Sequence, residues 1–233
     1  MSSKFYEQFG VAMTCRSYDE YVRMFALDIR PVPPGEMLDV AAGASSFAAE
    51  ANVRGRQVIA VDPLYEMEPA IIARHGEAEI ATSTAKLAGL ADQLDWTFYG
   101  DLDRHRAMRE RSLQRFIADF EKYKGQRYIS SRLPELPFAD GRFGLVLCSH
   151  FLFLYQEQLD DEFHLRAIRE LLRVCRRGGE VRIYPLSTLR WTRYPDLESL
   201  LEPLAAEGVQ MAFARSELPF IPGSTELLVL SRA

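Results

Sequence analysis

Cysteine is scarce in this sequence, and its three copies, Cys15, Cys148 and Cys175, are far apart with no CxxC pair. An odd number of scattered cysteines indicates reduced thiols and excludes a disulfide framework. None of the four histidines stands at metal-ligand spacing from another histidine or a cysteine. We therefore predict that the protein holds no metal.

Long apolar runs and excess positive charge are also missing. The most apolar run, residues 143–155, is too short to cross a bilayer, and residues 1–13 lack the charged and apolar regions of a signal peptide. A net charge of -5 and a pI near 5.5 give no basic field for nucleic acid or anionic membrane. We expect a cytoplasmic protein with a small-molecule substrate, no nucleic acid and no membrane partner; nothing indicates its oligomeric state.

What the sequence does contain is an ordinary globular composition, with 48% hydrophobic and 26% charged residues in a length of 233. These values predict one domain covering residues 1–233. Within it we expect an N-terminal helical cap at 1–35 and a helical insertion at 66–126 that could serve as a lid or substrate module, since no strand is visible there.

Seven short apolar segments alternate with helical patterns, which predicts a mainly parallel sheet covered on both faces. The predicted strands are residues 37–41, 57–61, 127–130, 143–149, 180–184, 209–214 and 226–230. The predicted helices outside the insertion are 17–27, 46–52, 160–177 and 196–207. A capping box at 17–20 begins the first helix, and Gly178 and Gly179 are expected to end the third as a C-cap.

Inside the insertion, an apolar helical stripe formed by Leu113, Phe116, Ile117, Phe120 and Tyr123 predicts core packing. A basic stripe lies on roughly the opposite face and comprises Arg104, Arg111, Arg115 and Lys122. That stripe is either a solvated surface or a contact for an anionic ligand.

Gly43 follows the first predicted strand, and Asp62 ends the second. A glycine allows close approach of a ligand, and an acid about 20 residues later can accept hydrogen bonds from ribose hydroxyls. Dinucleotide, P-loop and nucleophile-elbow patterns are absent, which favours a nucleoside cofactor without a pyrophosphate. The alternative is a tight turn and a helix-capping acid that bind nothing.

Four segments in order resemble the class I S-adenosylmethionine-dependent methyltransferase family: LDVAAG at 38–43 followed by Asp62, LPFADGRF at 136–143, LVLCSH at 145–150 and ELLRVCRRGG at 170–179. The resemblance implies a Rossmann-like α/β fold. Its seven-stranded, mainly parallel sheet would have the order 3-2-1-4-5-7-6 with the last strand antiparallel and helices on both faces. It also implies S-adenosyl-L-methionine as cofactor.

The resemblance further implies which residues bind that cofactor. Asp39 and the turn would face its methionine half, Asp62 its ribose and Leu64 its adenine, with residues 131–133 at the edge of the adenine. The complete implied set is Asp39, Ala41, Ala42, Gly43, Asp62, Pro63, Leu64, Arg132, Leu133 and Ser149.

Four positions depart from the family's pattern. The turn's three glycine positions hold Ala41, Gly43 and Ser45, and alanine or serine suffices there if φ stays negative. Arg132 replaces a frequent acid, and Gly144 replaces a frequent aspartate.

His150 directly follows the fourth strand, where ligands bind in such sheets, and is the predicted general base of methyl transfer. A core histidine bonded to a backbone carbonyl is the alternative. Tyr155 is a second predicted catalytic residue, and Tyr184 could also offer a hydroxyl. The predicted function is methylation of an oxygen or nitrogen of a small molecule. The rival is a degenerate relative that binds an adenosyl cofactor or a protein partner without transfer.

Overall fold

A computed structural model of the protein describes residues 10–232. The strands within this range are β1 (Met37–Val40), β2 (Val58–Val61), β3 (Tyr128–Ile129), β4 (Phe143–Ser149), β5 (Cys175–Tyr184), β6 (Gln210–Arg215) and β7 (Glu226–Ser231). The α-helices are α1 (Tyr18–Met24), α2 (Phe47–Val53), α3 (Pro69–Ala88), α4 (Leu102–Tyr123), α5 (Asp161–Val174) and α6 (Leu197–Ala206). Short 3-10 turns follow β2, α3 and β4.

The strands form one sheet in the order β3-β2-β1-β4-β5-β7-β6. All neighbouring pairs run parallel except those that β7 makes with β5 and β6. The predicted fold and strand order are therefore confirmed. The order reverses between β1 and β4, so the carboxyl ends of these two strands flank the crevice in which α/β sheets bind ligands.

The sheet divides the core into two layers. One layer joins residues of α1, α2, α3 and α4 with one sheet face, and the other joins α5 and α6 with the opposite face. The parallel strands β1, β2 and β4 are almost wholly buried, as expected for strands covered on both sides, whereas the antiparallel edge strand β6 is largely exposed. The insertion thus packs on the same face as the N-terminal helix.

Most of residues 66–126 consists of α3 and α4, and these helices pack against each other. Gly76 of α3 permits the contact, because a Cβ there would overlap the side chain of Leu113. In the apolar stripe of α4, Leu113, Phe116 and Phe120 are buried and Ile117 is partly buried against them. Tyr123 is 37% exposed and lies under the guanidinium of Arg127, so its assignment to the core was wrong.

The capping box that starts α1 is confirmed, with the Ser17 side chain accepting from the Glu20 N–H and the Glu20 carboxylate accepting from the Ser17 N–H. The helix ends at Met24 rather than at residue 27, since Ala26 adopts a φ of 52°. A left-handed residue cannot continue a right-handed helix.

The predicted C-cap at Gly178 and Gly179 is wrong. Helix α5 already ends at Val174, and both glycines lie within β5. A side chain at Gly179 would overlap the backbone carbonyl of Gly144, and one at Gly144 would overlap the carbonyl of Pro34. Close backbone packing, and not helix termination, explains Gly179, and it also explains why the family's aspartate is absent at Gly144.

Candidate functional site

A cavity lies at the carboxyl ends of β1, β2 and β4, and we call it the strand-end cavity. Its lining comes from the loops after these strands, the segment after β3 and the N-terminal chain. The residues are Val11, Ala12, Met13, Thr14, Val40, Ala41, Gly43, Val61, Asp62, Pro63, Leu64, His75, Ser131, Arg132, Leu133, Ser149, His150 and Phe151. The strand ends therefore bring together most of the residues predicted to bind the cofactor.

The turn after β1 is left-handed at two positions. Ala41 has a φ of 56° and Gly43 a φ of 57°. The expectation that φ stays negative where alanine replaces glycine is therefore wrong at Ala41, and this conformation costs an alanine roughly 1–2 kcal/mol. Ser45 is outside the left-handed region. Its hydroxyl accepts from the Phe47 N–H (3.0 Å) and donates to the Arg16 carbonyl (2.9 Å).

Residues 12–14, which we call the roof segment, close over this turn. A Cβ on Gly43 would lie 3.1 Å from the Thr14 carbonyl oxygen. The lack of a side chain at Gly43 therefore allows the backbone of the roof segment to pack against the turn. The roof segment is held at its first residue, Ala12, and the chain just after it is held at Arg16. The Ala12 N–H donates to the Tyr155 hydroxyl (2.8 Å), and the Arg16 carbonyl accepts from the Ser46 N–H (2.9 Å).

Asp62 is held in place by two backbone donors. One carboxylate oxygen accepts from the Gly43 N–H (2.9 Å), and the other caps the turn after β2 through the Leu64 N–H (2.9 Å). Burial raises the pKa of Asp62, and the two backbone hydrogen bonds oppose that rise. Each oxygen retains a second lone pair, so the capping role leaves capacity for a ligand hydroxyl.

Asp39 lies behind the turn and is fully buried. Its Oδ1 accepts from the Tyr21 hydroxyl (3.1 Å), whereas Oδ2 has no hydrogen-bond partner among the described residues. Burial raises the pKa of Asp39 well above its usual range, and the nearby Asp62 charge adds to that rise. A buried acceptor without a donor is costly, so Asp39 is suited to a polar partner from a ligand.

His150 lies at the end of β4 with a φ of 50°, in the left-handed region. Its backbone N–H donates to the Tyr184 carbonyl (2.7 Å), and its Nδ1 lies 2.9 Å from the Ser149 hydroxyl. No backbone carbonyl among residues 10–232 bonds the imidazole, in contrast to the core-histidine alternative. Burial lowers the pKa of His150 well below its usual range, and the charges of Arg16 and Arg109 lower it further.

Tyr155 and Tyr184, the two tyrosines considered with His150, use their hydroxyls in hydrogen bonds to other parts of the protein. Tyr155 is buried and uses its hydroxyl to accept the Ala12 N–H. Tyr184 donates to the Leu218 carbonyl (2.9 Å) and accepts from the Ser224 hydroxyl (3.0 Å). These contacts give Tyr155 a positioning role for the roof segment and give Tyr184 a structural one.

A second cavity adjoins the first beneath the insertion, and we call it the insertion cavity. The roof segment and His150 line both cavities, which therefore meet at His150. Its volume is about 120 Å³, and most of its wall is apolar. The remaining lining residues are Cys15, Arg16, Glu79, Ile80, Ser83, Leu87, Leu94, His105, Arg109, Leu154, Tyr155, Leu189, Trp191, Phe220 and Ile221.

A buried ion cluster forms one side of the insertion cavity. The Glu20 carboxylate is fully buried and accepts from Arg16 Nη1 (3.1 Å), Arg109 Nη1 (2.7 Å) and the Tyr99 hydroxyl (2.6 Å). Burial favours a raised pKa for Glu20, but Arg109 and Arg16 prevail and lower its pKa to about 2. The cluster therefore contains two cations and one anion, and it joins α1 to the insertion.

His105 extends this cluster. Its Nε2 lies 3.2 Å from Arg109 Nη2, and because a guanidinium can only donate, this nitrogen is the acceptor. In the neutral imidazole the proton is then on Nδ1, which is buried without a partner among residues 10–232. Burial lowers the pKa of His105 to about 2, with Arg109 contributing.

The structure distributes the predicted residues unevenly. Ala41, Gly43, Asp62, Pro63, Leu64, Arg132, Leu133, Ser149 and His150 line the strand-end cavity. Asp39 and Ala42 are buried behind it, and Tyr155 lines the insertion cavity instead. The basic stripe of α4 contains exposed side chains such as Arg104 and Arg115. In the described part of the chain, no group of three metal-ligating side chains is found, and no helix is long and apolar enough to cross a membrane.

Sequence reasoning missed the ion cluster. Glu20 was recognised only as a helix cap, and Arg16, Tyr99, His105 and Arg109 were given no role in a site. One signal was available, namely the spacing of four residues between Arg16 and Glu20 and between His105 and Arg109. That spacing alone does not indicate that the two pairs meet.

The strand order and the strand-end cavity define a class, the methyltransferases with a seven-stranded Rossmann-like sheet. The sequence model described as "Methyltransferase domain" matches residues 78–183, beginning inside α3 and therefore leaving out the turn and Asp62. An uncharacterized protein of Methanocaldococcus jannaschii is 32% identical over 218 residues, covering 93% of this chain and 94% of the relative.

Solved structures agree in fold. The glycopeptide N-methyltransferase MtfA, complexed with S-adenosyl-L-methionine, is 12% identical with a TM-score of 0.52, covering 98% of this chain and 100% of its own. Magnesium protoporphyrin IX methyltransferase from Synechocystis PCC 6803, with the same cofactor bound, is 13% identical with a TM-score of 0.51, covering 93% of this chain and 78% of its own. Residues 78–183 thus match the methyltransferase domain family, and the fold of residues 10–232 is that of the class I S-adenosylmethionine-dependent methyltransferases.

Proposed function

We propose that the protein transfers a methyl group from S-adenosyl-L-methionine to an oxygen or nitrogen of a small molecule. The observation that supports this most strongly is the meeting of two cavities at His150 and the roof segment. One cavity has the position and residues expected for the cofactor, and the other is apolar and of small-molecule size. We further propose a cytoplasmic location, supported by three free, buried cysteines.

The residues of the strand-end cavity fit this cofactor. Asp62 presents a fixed carboxylate to the ribose hydroxyls, and Leu64 and Leu133 offer apolar contact to the adenine. The unpartnered Oδ2 of Asp39 supplies an acceptor suited to the amino group of the methionine half. When bound, S-adenosylmethionine supplies a methyl group activated by a positively charged sulfur. Two related folds were solved with this cofactor in place.

The protein contributes mainly position and exclusion of water. In-line transfer requires the acceptor atom and the methyl group to be held in contact, and such orientation can supply roughly 7–11 kcal/mol. The roof segment forms part of the wall of both cavities, so it would cover both ligands where they meet.

His150 is the group that would take up a proton from the acceptor. Its depressed pKa keeps the imidazole neutral and able to accept at physiological pH, with Nδ1 near the Ser149 hydroxyl. The same depression makes it a weak base. It therefore suits an acceptor whose proton becomes acidic as the new bond forms, such as an amine that becomes an ammonium.

Calorimetric titration of S-adenosylhomocysteine tests cofactor use. Wild type should bind it, and Asp62→Ala should lose most of the affinity. Glu66→Ala, at an exposed site in the same turn, is the matched control and should bind normally. No heat at millimolar ligand with wild type would refute the proposal.

Methyl transfer itself is tested by screening small-molecule acceptors with radiolabelled S-adenosylmethionine. His150→Ala should bind S-adenosylhomocysteine as wild type does yet turn over about 10²–10⁴-fold more slowly. Full turnover in this variant would remove the base role. Cofactor binding with no turnover on any acceptor would favour the degenerate alternative, for which the strained Ala41 and the doubly engaged Asp62 are the supporting observations.

A further inference from the structure

We propose that the insertion cavity binds an acceptor with a small apolar body and a carboxylate group, and that Arg16 recognises the carboxylate. This inference rests on the proposed function, because it names the class of molecule that would be methylated. Its evidence is the hydrogen-bonding state of two buried side chains in the wall, the charges around them and the dimensions of the cavity.

The Arg16 guanidinium has a hydrogen-bond donor without a partner among the described residues. Its side chain lines the cavity, the residue is only 9% exposed, and Nη1 is the nitrogen that bonds Glu20. Its Nε is buried and has no partner among the described residues. Arg109, by contrast, directs Nη1 to Glu20 and to the Cys15 carbonyl, and Nη2 to Tyr99 and His105. Arg16 is therefore the guanidinium available to a ligand.

His105 adds a second unpartnered donor. It is 3% exposed, lines the same cavity and carries its proton on Nδ1, where no acceptor from residues 10–232 reaches it. Both unpartnered groups in this wall are donors. A ligand that satisfies them must bring acceptor atoms, and a carboxylate with two oxygens does so.

The charge of the wall favours an anion. Arg16 and Arg109 share the single carboxylate of Glu20, while Cys15, whose pKa burial raises to about 12, remains a neutral thiol. Glu20 lies behind the wall, and Glu79 is the one acid among the described residues that line the cavity. Glu79 is partly exposed, so solvent screens its charge more than the charges of the buried guanidiniums, and it has no ion pair among the described residues. A cationic acceptor would face two guanidiniums and the positive sulfur of the cofactor, which is unfavourable in a site of low dielectric.

The rest of the wall limits the size and polarity of the acceptor. Apolar cavities of roughly 150 Å³ admit a benzene ring, and this one measures about 120 Å³. Leu87, Leu94 and Phe220 are among the apolar side chains that surround it. The acceptor body should therefore be no larger than a single ring or a branched chain.

The test uses benzoate, benzamide and benzylamine, which share a ring and differ in charge. Each is titrated calorimetrically into the full-length protein, with and without saturating S-adenosylhomocysteine. Benzoate should bind at least about tenfold more tightly than benzamide, as one charge-assisted hydrogen bond provides, and benzylamine should bind most weakly. Equal binding of the three, or a preference for benzylamine, would overturn the inference.

Arg16→Gln should remove the preference for benzoate and leave the affinity for S-adenosylhomocysteine unchanged. Arg106→Gln, at an exposed ion pair on α4, is the matched control and should behave as wild type. An equal loss of S-adenosylhomocysteine affinity in Arg16→Gln would assign the guanidinium to the cofactor's carboxylate and refute the inference. If Arg16→Gln does not fold, the three-probe comparison in wild type decides alone.

Failure of the inference and failure of the proposed function are distinguishable. Lack of S-adenosylhomocysteine binding defeats the proposed function, whereas the preference among the three probes is measured without that ligand as well. Normal S-adenosylhomocysteine binding with no preference for benzoate defeats only the inference.

Discussion

The two cavities that meet at His150 are built in different ways. The strand-end cavity is formed by loops directly after β1, β2 and β4, and backbone N–H groups fix its key acid, Asp62. The insertion cavity is formed by helices and loops distant in sequence, and a buried ion cluster around Glu20 joins them. The sheet positions the residues of the strand-end cavity, whereas the insertion cavity depends on long-range side-chain contacts.

Loss of the Glu20 charge should show the difference between the two cavities most strongly, because it removes the anion of the ion cluster beside the insertion cavity. Glu20→Gln leaves Arg16 and Arg109 as buried cations without an anion, which costs about 3–5 kcal/mol. The free energy of unfolding, measured by urea denaturation, should fall by that amount. Glu110→Gln removes an exposed acid that pairs with Arg106 and should change stability by less than about 1 kcal/mol. Equal effects of the two variants would show that the cluster does not hold the insertion cavity together.

Lowering the pH should reduce the free energy of unfolding through His105, which lines the insertion cavity. Because its pKa is depressed to about 2 in the folded state, the unfolded chain binds a proton below pH 6.5 that the folded protein does not. His105 therefore contributes stability that is present above pH 6.5 and is lost as pH falls. Between pH 7 and pH 5 this loss amounts to about 2 kcal/mol.

The measurement compares wild type with His105→Gln across that pH range. The variant lacks the titrating group, so the difference in unfolding free energy between the two proteins should shrink by about 2 kcal/mol from pH 7 to pH 5. A difference that stays constant would mean that folding does not change the pKa of His105.

The roof segment links both cavities, so removing its anchor should affect both. Tyr155→Phe deletes the acceptor of the Ala12 N–H and should cost about 1 kcal/mol of stability. It should also weaken S-adenosylhomocysteine and benzoate binding together in calorimetry. Tyr123→Phe, at an exposed tyrosine, is the control. A loss confined to one ligand would show that the segment does not couple the cavities.

The smallest expected effect lies in the turn of the strand-end cavity. Ala41→Gly relieves the left-handed strain, but it increases the flexibility of the unfolded chain, so the net gain should be roughly 0.5–1 kcal/mol. Ala42→Gly, at a buried neighbour without positive φ, should destabilise instead. Thermal unfolding of both variants checks this opposite pair of signs, and a loss in both would contradict a strained Ala41.

These contrasts also explain what the sequence could predict. Buried parallel strands are continuous apolar runs, so β4 was located at its observed bounds. The other strands were located to within one residue at each end, except β5, which begins five residues before its predicted start at residue 180. Residues that follow strands, such as Gly43, Asp62 and His150, collect at one edge of the sheet by geometry alone. That half of the site was therefore accessible from local patterns.

The ion cluster was not accessible in that way. Glu20 and Arg109 are 89 positions apart, and their contact arises only when the insertion packs on α1. On α4, His105, Arg109 and Ser112 are buried, but polar residues on a buried face interrupt the apolar periodicity that marks a core. The positive φ at Ala41 could not be predicted either, since an alanine in the sequence gives no indication of a left-handed conformation.

A crystal structure of the protein with S-adenosylhomocysteine tests the central claim, that the two cavities hold cofactor and acceptor on either side of His150. We predict that its ribose hydroxyls contact Asp62 and that its sulfur faces His150 and the insertion cavity. The insertion cavity itself should stay free for the acceptor. A ligand seated among Arg16, His105 and Phe220, or bound away from Asp62, would contradict the account.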